Sequence, residues 1–353
     1  MDKNMHPVIH KLGIMAKKTP LLRYDGKQPF DEWQKAAKAK LYELLGMEKL
    51  ELCDEQFTVT SESECEEFKE YRFTIQSEEN YYFPCVLRLP KGKAARFNSE
   101  GKLPLVICLQ GHTRGAHVSI AEVKFDRDII SINERDSAFC VQAVKHGYAA
   151  LAMEQRSCGV CGSRPEDGVP DCEFSSMIGI MMGRTAIGER VWDVGRAIDA
   201  VERHFADVID IEDISLMGSS GGGTASYYTA CLDERIKCVM PSSSICTWEE
   251  SITLLLHCLC NYVPHIAEYF NMGDIGGMIA PRGLVIVNGA EDDIFRKKGV
   301  DESFELVKKL YEAAGVPDLC RHVEGPFGHR FYADAAWPVF NEMKKRLKEK
   351  CAK

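Results

Sequence analysis

The chain has 353 residues, 45% of them apolar and 27% charged, a globular balance that excludes a coiled-coil rod, a collagen-like repeat and a disordered tail. Its 44 basic and 53 acidic residues give a formal charge of −9, which argues against broad binding to nucleic acid or to an anionic membrane. No run nears the roughly 18 apolar residues a membrane span requires, and residues 1–30 hold no stretch suited to a signal peptide. The 15 cysteines are scattered, several inside apolar runs (Cys108 in LPLVICL, Cys238 in IKCVM). Such a set suits reduced thiols in a cytoplasmic protein better than a disulfide-stapled secreted module.

Residues 1–50 read as an N-terminal helical arm packed on the main domain, which takes up 51–353. Within the arm, FDEWQKAAKAKLYELLG (30–46) places Trp33, Ala37, Leu41, Leu44 and Leu45 at helical spacing, with Gly46 as C-cap. Two β-like runs, 66–78 and 80–90, rich in aromatic and β-branched residues, predict an antiparallel hairpin. After a polar loop at 91–102 the pattern becomes an alternation of short apolar strands and helical stretches. It runs through 103–110, 138–147, 148–155, a long helix at 184–205, and strands at 214–220, 236–244, 282–293 and 319–325, with helices at 301–315 and 333–349. This predicts an α/β fold: a mostly parallel sheet of about eight strands, begun by the antiparallel hairpin and covered by helices on both faces. Residues 247–280 interrupt the alternation. They read as an apolar helical insertion over the sheet's C-terminal edge, either a lid or extra packing.

The segment Gly218-Ser219-Ser220-Gly221-Gly222 matches G-x-S-x-G and sits between the strand run ISLM and a helix, the setting in which this motif exposes a nucleophilic serine. Its glycines permit a tight, strained turn, and the helix N-terminus favours developing negative charge. A serine hydroxyl needs a base, and the base an orienting acid. In this architecture the chain order is serine, acid, histidine. Asp292 and Asp293 follow the strand LVIVNGAE, and His329 lies in GPFGHRF just past the last strand run. The oxyanion donors fall to the amide of Gly221 and, in the loop Gln110-Gly111-His112-Thr113, to that of His112, whose side chain lining the pocket is the other reading.

These residues together resemble an α/β-hydrolase, within it the acetyl xylan esterase-related and prolyl-oligopeptidase-like group. The resemblance runs over about 30–345 and rests on FDEWQKAAKAKLYELLG, LPLVICLQGH, RTAIGERVWDVGRAIDAVE, SLMGSSGGG, HCLCNYVPHI, GDIGGMIAPRGLVIVNGAEDDIF and FGHRF. The group's acid pattern, similar to G-x-x-D-P-I-F, falls on Gly289–Phe295. It implies Asp292 as the acid, with Asp293 where proline is usual and as the alternative acid. Gly283 and Arg296 also stand where prolines are common.

The resemblance implies an ester hydrolase with a Ser220–His329–Asp292 triad, an acyl-enzyme and no metal or organic cofactor, acting on a small ester, above all an acetylated carbohydrate. A prolyl-oligopeptidase-like peptidase or longer-acyl esterase is the alternative, and a non-catalytic binding module a third. No nucleic-acid or membrane partner is expected, and a homo-oligomer is left open. Cys158-x-x-Cys161 with Cys172 has the spacing of half a zinc site, but no second half follows, so these read as loop cysteines; Cys258-x-Cys260 reads as core. Glu189, Arg190 and Asp193 read as an ion-pair set on the long helix.

Overall fold

A computed structural model describes residues 6–112, 115–163, 166 and 171–351, with no statement on the side chain of Cys351. Nine strands form one sheet: β1 (Thr58–Glu64), β2 (Phe68–Glu78), β3 (Tyr81–Pro90), β4 (Leu103–Leu109), β5 (Ala149–Met153), β6 (Ile209–Ser219), β7 (Ile236–Ser242), β8 (Gly283–Gly289) and β9 (Cys320–Gly325). Their order is β1-β2-β3-β5-β4-β6-β7-β8-β9. The first three strands pair antiparallel, β3 joins β5 antiparallel, and every pairing from β5 to β9 is parallel.

The expected hairpin is β2–β3, in register from Phe68↔Pro90 to Glu78↔Tyr81. The strand missing from the sequence reading is β1. Its residues TVTSESE are all exposed and all but Val59 are polar, so it carries neither an apolar face nor alternation. The central strand β4 is the opposite case: all seven residues are buried, as a parallel strand covered on both faces requires. The stretch at 138–147 supplies the helix Phe139–Lys145, which leads into β5.

Residues 247–280 differ from expectation. Instead of a helical insertion they form mostly turns, with short helical turns at Leu259–Asn261, Ile266–Tyr269 and Met272–Gly276. Pro264 and Gly273, Gly276 and Gly277 interrupt any longer helix. The apolar residues that suggested one, including Trp248, Phe270 and Ile275, are buried against the core without helical period.

The helix Phe30–Leu44 buries Trp33, Ala37 and Leu41 in the same core cluster. Trp33 donates its indole N–H to the Leu22 carbonyl at 2.7 Å, and its ring fills the space where a side chain on Gly277 would stand. Gln34 donates to the carbonyls of Gly277 (2.9 Å) and Ala280 (2.6 Å), just ahead of β8. Gly46 ends this helix region in the left-handed conformation, at φ 71°. Among the described residues, no helix is long and apolar enough to cross a membrane.

Trp33 is fully buried at this seam, so Trp33→Ala is expected to lose about 3–5 kcal/mol in urea unfolding. Val8→Ala, at an exposed position, is expected to stay within about 0.5 kcal/mol of the parent.

Candidate active site

The strand β6 ends at Ser219 and the helix Gly221–Leu232 starts two residues on, with Ser220 between them at φ 54°, ψ −124°. A non-glycine residue held at positive φ is strained, and the packing shows what holds it. A Cβ on Gly222 would collide with the carbonyls of Leu109 and Gln110, and one on Gly218 with the Gly222 carbonyl. The end of β4 therefore lies directly against the turn, and only glycine admits the approach. The Ser220 amide donates to the Ser242 carbonyl at 2.8 Å, which ties the turn to β7 as well.

Past the end of β8, the buried Asp292 accepts at Oδ1 from the amides of Ile294 (2.9 Å) and Phe295 (3.0 Å). Its Oδ2 lies 2.9 Å from His329 Nδ1. Burial works against ionisation of Asp292, but the hydrogen bond and charge of His329 and the two amides outweigh it and hold the carboxyl below the usual range. The neighbouring Asp293 is exposed. The His329 ring stacks on Phe295, centroids 5.9 Å apart and planes at 18°.

Ser220 and His329 line one cavity of about 260 Å³, shared with Gly111, His112, Arg135, His257 and Arg330. A Cβ on Gly111 would stand 2.8 Å from the Ser219 carbonyl oxygen and 3.1 Å from Ser220 Cβ, so the loop after β4 runs against the turn. The His112 ring covers Gly221, where an added Cβ would be 2.8 Å from its Cε1. All five residues singled out from the sequence, Ser220, Asp292, His329, Gly221 and His112, thus meet at one place; Thr113 of the same loop lies outside the described residues.

Two residues at this place escaped the sequence reading. Glu154, just past β5, is buried and accepts from Gln110 Nε2 (2.9 Å) and from the Ala116 amide (3.0 Å), bracing both sides of the loop that carries His112. Burial pushes its carboxyl up to about 7, against the pull of the Ala116 amide. An acid placed directly after the apolar run YAALAM was the available signal. His257 faces the cavity from the insertion and lies edge-on to Phe295 at 5.8 Å. Burial, with His112 and His329 nearby, pushes it down to about 4. Its insertion position alone gave no hint of this.

The expected ionic set on the helix Ala186–His204 divides. Asp193 takes a two-pronged contact from Arg156 (2.7 and 2.8 Å), and Glu189 pairs with Arg184 (2.9 Å). Arg190 turns the other way and donates to the Cys172 sulfur at 3.2 Å.

A family model described as "Abhydrolase family" matches residues 8–344. The chain belongs to this α/β-hydrolase family. A relative from Bacillus subtilis (strain 168), named "Putative hydrolase YtaP", is 26% identical over 238 residues, 65% of this chain and 74% of that protein. Among solved structures, a "putative acetyl xylan esterase" from Bacteroides fragilis NCTC 9343 superposes with a TM-score of 0.75 at 16% identity, over 95% of this chain and 84% of the other. A glucuronoyl esterase from Solibacter usitatus gives a TM-score of 0.66 at 15% identity, over 93% and 97%. At such identities these two speak for the fold.

Glu154 titrates higher in the folded protein than in the unfolded chain, where a glutamate sits near 4.3. Its favourable contribution is therefore complete below about pH 4 and is lost as the pH rises through about 7. Between about pH 5 and pH 8 the parent is expected to lose up to about 3 kcal/mol relative to Glu154→Gln, read from urea unfolding of both proteins across that range.

Proposed function

We propose that the chain is a serine esterase that removes small acyl groups, acetyl foremost, from a carbohydrate or related alcohol. The observation that carries this reading is the Asp292–His329 hydrogen bond at 2.9 Å, with His329 and the strained Ser220 facing one cavity. In the proposed cycle the Ser220 hydroxyl attacks the ester carbonyl while His329 Nε2 takes its proton. Asp292, bonded to Nδ1, fixes the ring's tautomer and stabilises its cation. The amides of Gly221 and His112 receive the oxyanion at the start of the helix Gly221–Leu232. The alcohol leaves with the proton from His329. Water then attacks the acyl-enzyme with His329 again as base, which regenerates Ser220 and releases the acid.

The cavity's size favours a small acyl group, since about 260 Å³ lies below the usual range of roughly 300–1,000 Å³ for sites of drug-sized ligands. Arg135 and Arg330 on its wall offer donors to the oxygens of a sugar. The likeness to carbohydrate esterases points the same way. None of the described cysteines with a placed side chain is paired in a disulfide, which fits a reducing compartment such as the cytoplasm.

Purified protein is expected to hydrolyse p-nitrophenyl acetate and acetylated sugars faster than longer acyl esters, and peptide amides least. Ser220→Ala should lower kcat by on the order of 10⁴-fold or more, and Asp292→Asn by a comparable factor, while Asp293→Asn stays within about threefold. Full turnover in Ser220→Ala would overturn the nucleophile, and a reversed order of the two aspartates would overturn the acid.

A further inference from the structure

Beside the cavity, four soft donors from separate parts of the chain converge. His112 comes from the loop after β4, Cys172 from the first position of the helix Cys172–Met181, and Cys258 and Cys260 from the segment 247–280. Their ligand atoms all lie within 4.8 Å of one another, and His112 Nε2 is 3.0 Å from Cys260 Sγ. We infer that these four side chains form a structural zinc site, Cys₃His, clasped around the base of the acyl cavity.

The geometry suits the ion. Zinc–sulfur bonds of about 2.3 Å put tetrahedral ligand atoms about 3.8 Å apart, a modest contraction of the cluster as it stands. Three thiols and an imidazole favour a soft divalent ion, and four protein donors close the coordination sphere without an open position, as structural sites require. Zinc replaces the three thiol protons, which pass to solvent, and no electrons move.

The surroundings supply an independent reason. Arg190 is buried, and among the described residues no carboxylate pairs with it and its Nε has no hydrogen-bond partner. Its Nη2 donates to Cys172 Sγ and to the Arg156 carbonyl, both at 3.2 Å. A buried cation without a counter-charge is costly. Three thiolates with one zinc ion carry a single negative charge, and Arg190 cancels it. Asn261 Nδ2, 3.5 Å from Cys260 Sγ, adds a donor to the sulfur shell. An adjoining cavity of about 570 Å³, lined by His112, Cys172, Leu256 and Cys258 and bordered by the fully exposed Leu256, gives the ion a way in.

The role follows from what is tied together. Coordination through Nε2 would hold the His112 ring where it already lies, over Gly221, and fix the loop after β4 against the turn at Ser220. It would also pin a turn-rich segment that has little helix to stiffen it. Cys161 takes no part, since its sulfur faces the Tyr82 carbonyl. Cys158 contacts Cys172 from outside the group of four, so a disulfide at Cys172 is the competing outcome.

The test is metal analysis of the full chain purified in reductant without chelators. We expect about one zinc per chain by plasma emission. Exchange for cobalt(II) should give the visible bands of a tetrahedral site together with thiolate-to-cobalt charge transfer. Cys258→Ser and Cys260→Ser should each weaken zinc retention against a chromophoric chelator about tenfold or more, whereas Cys320→Ser keeps the full equivalent. Zinc below about 0.1 equivalent in folded parent protein, both as purified and after incubation with zinc and reductant, overturns the site. So does a cobalt spectrum without thiolate charge transfer, or a disulfide at Cys172, Cys258 or Cys260 in mass spectrometry. None of these readouts uses esterase activity, so the site stands or falls apart from the role given to Ser220.

Discussion

The close approach of the end of β4 to the turn at Ser220 is the constraint on which the rest depends. Carbonyls of Leu109 and Gln110 occupy the space above Gly222, and the Gly222 carbonyl occupies that above Gly218. Side chains at either position would push β4, β6 and the helix Gly221–Leu232 apart. With glycine there, the strand's backbone bears on the turn, and the strained Ser220 has no lower-energy conformation to relax into. The loop that continues from β4 is then set beside the serine, with Gly111 under it and the His112 ring over Gly221. One steric fact positions Ser220, the wall of the cavity and the imidazole that faces the cysteines.

Around that point the charges are arranged in layers. Nearest the cavity, Asp292 is buried but satisfied by two amides and His329. Behind the loop, Glu154 is buried and held by neutral amide donors, and its burial outweighs them and the more distant charge of Lys124, so it resists ionisation. Farther out, Arg156 and Arg184 join Glu78 at the end of β2 to Glu189 and Asp193 on the long helix. Such partly buried networks are weak evidence for net stability, because desolvation offsets much of the attraction. Their value here is geometric: they hold the antiparallel strands, the loop after β5 and the long helix in one register.

What the sequence made readable followed the strength of each local signal. β4 and β8 are continuous apolar runs, and the Ser220 turn sits in a glycine pattern placed directly between a strand run and a helix. Asp292 and His329 were legible because strand ends bring their loops to one edge of a parallel sheet. β1 was hidden because a wholly exposed polar strand leaves no period. The segment 247–280 misled because burial, not helix formation, explains its apolar residues. The cluster of His112 with Cys172, Cys258 and Cys260 was illegible for a different reason. Its donors come from three segments, and no spacing in the chain records a meeting made only by tertiary packing. Cys158-x-x-Cys161, which has the familiar spacing, sends one sulfur toward the Tyr82 carbonyl instead.

The polar strand β1 also bears on how copies of the chain meet. An outermost strand offers unpaired amides and carbonyls to any passing strand, and growth along that edge is the ordinary route from a soluble sheet to a fibril. Here the edge carries Glu62 and Glu64, whose nearest cations are Lys69 and Lys91 within the same molecule, and no apolar side chain but Val59. A second copy's β1 laid parallel and in register against this one would set glutamates against glutamates and gain almost no buried apolar surface. The row of residues with the least to say about the fold is the one that makes this edge a poor template for another strand.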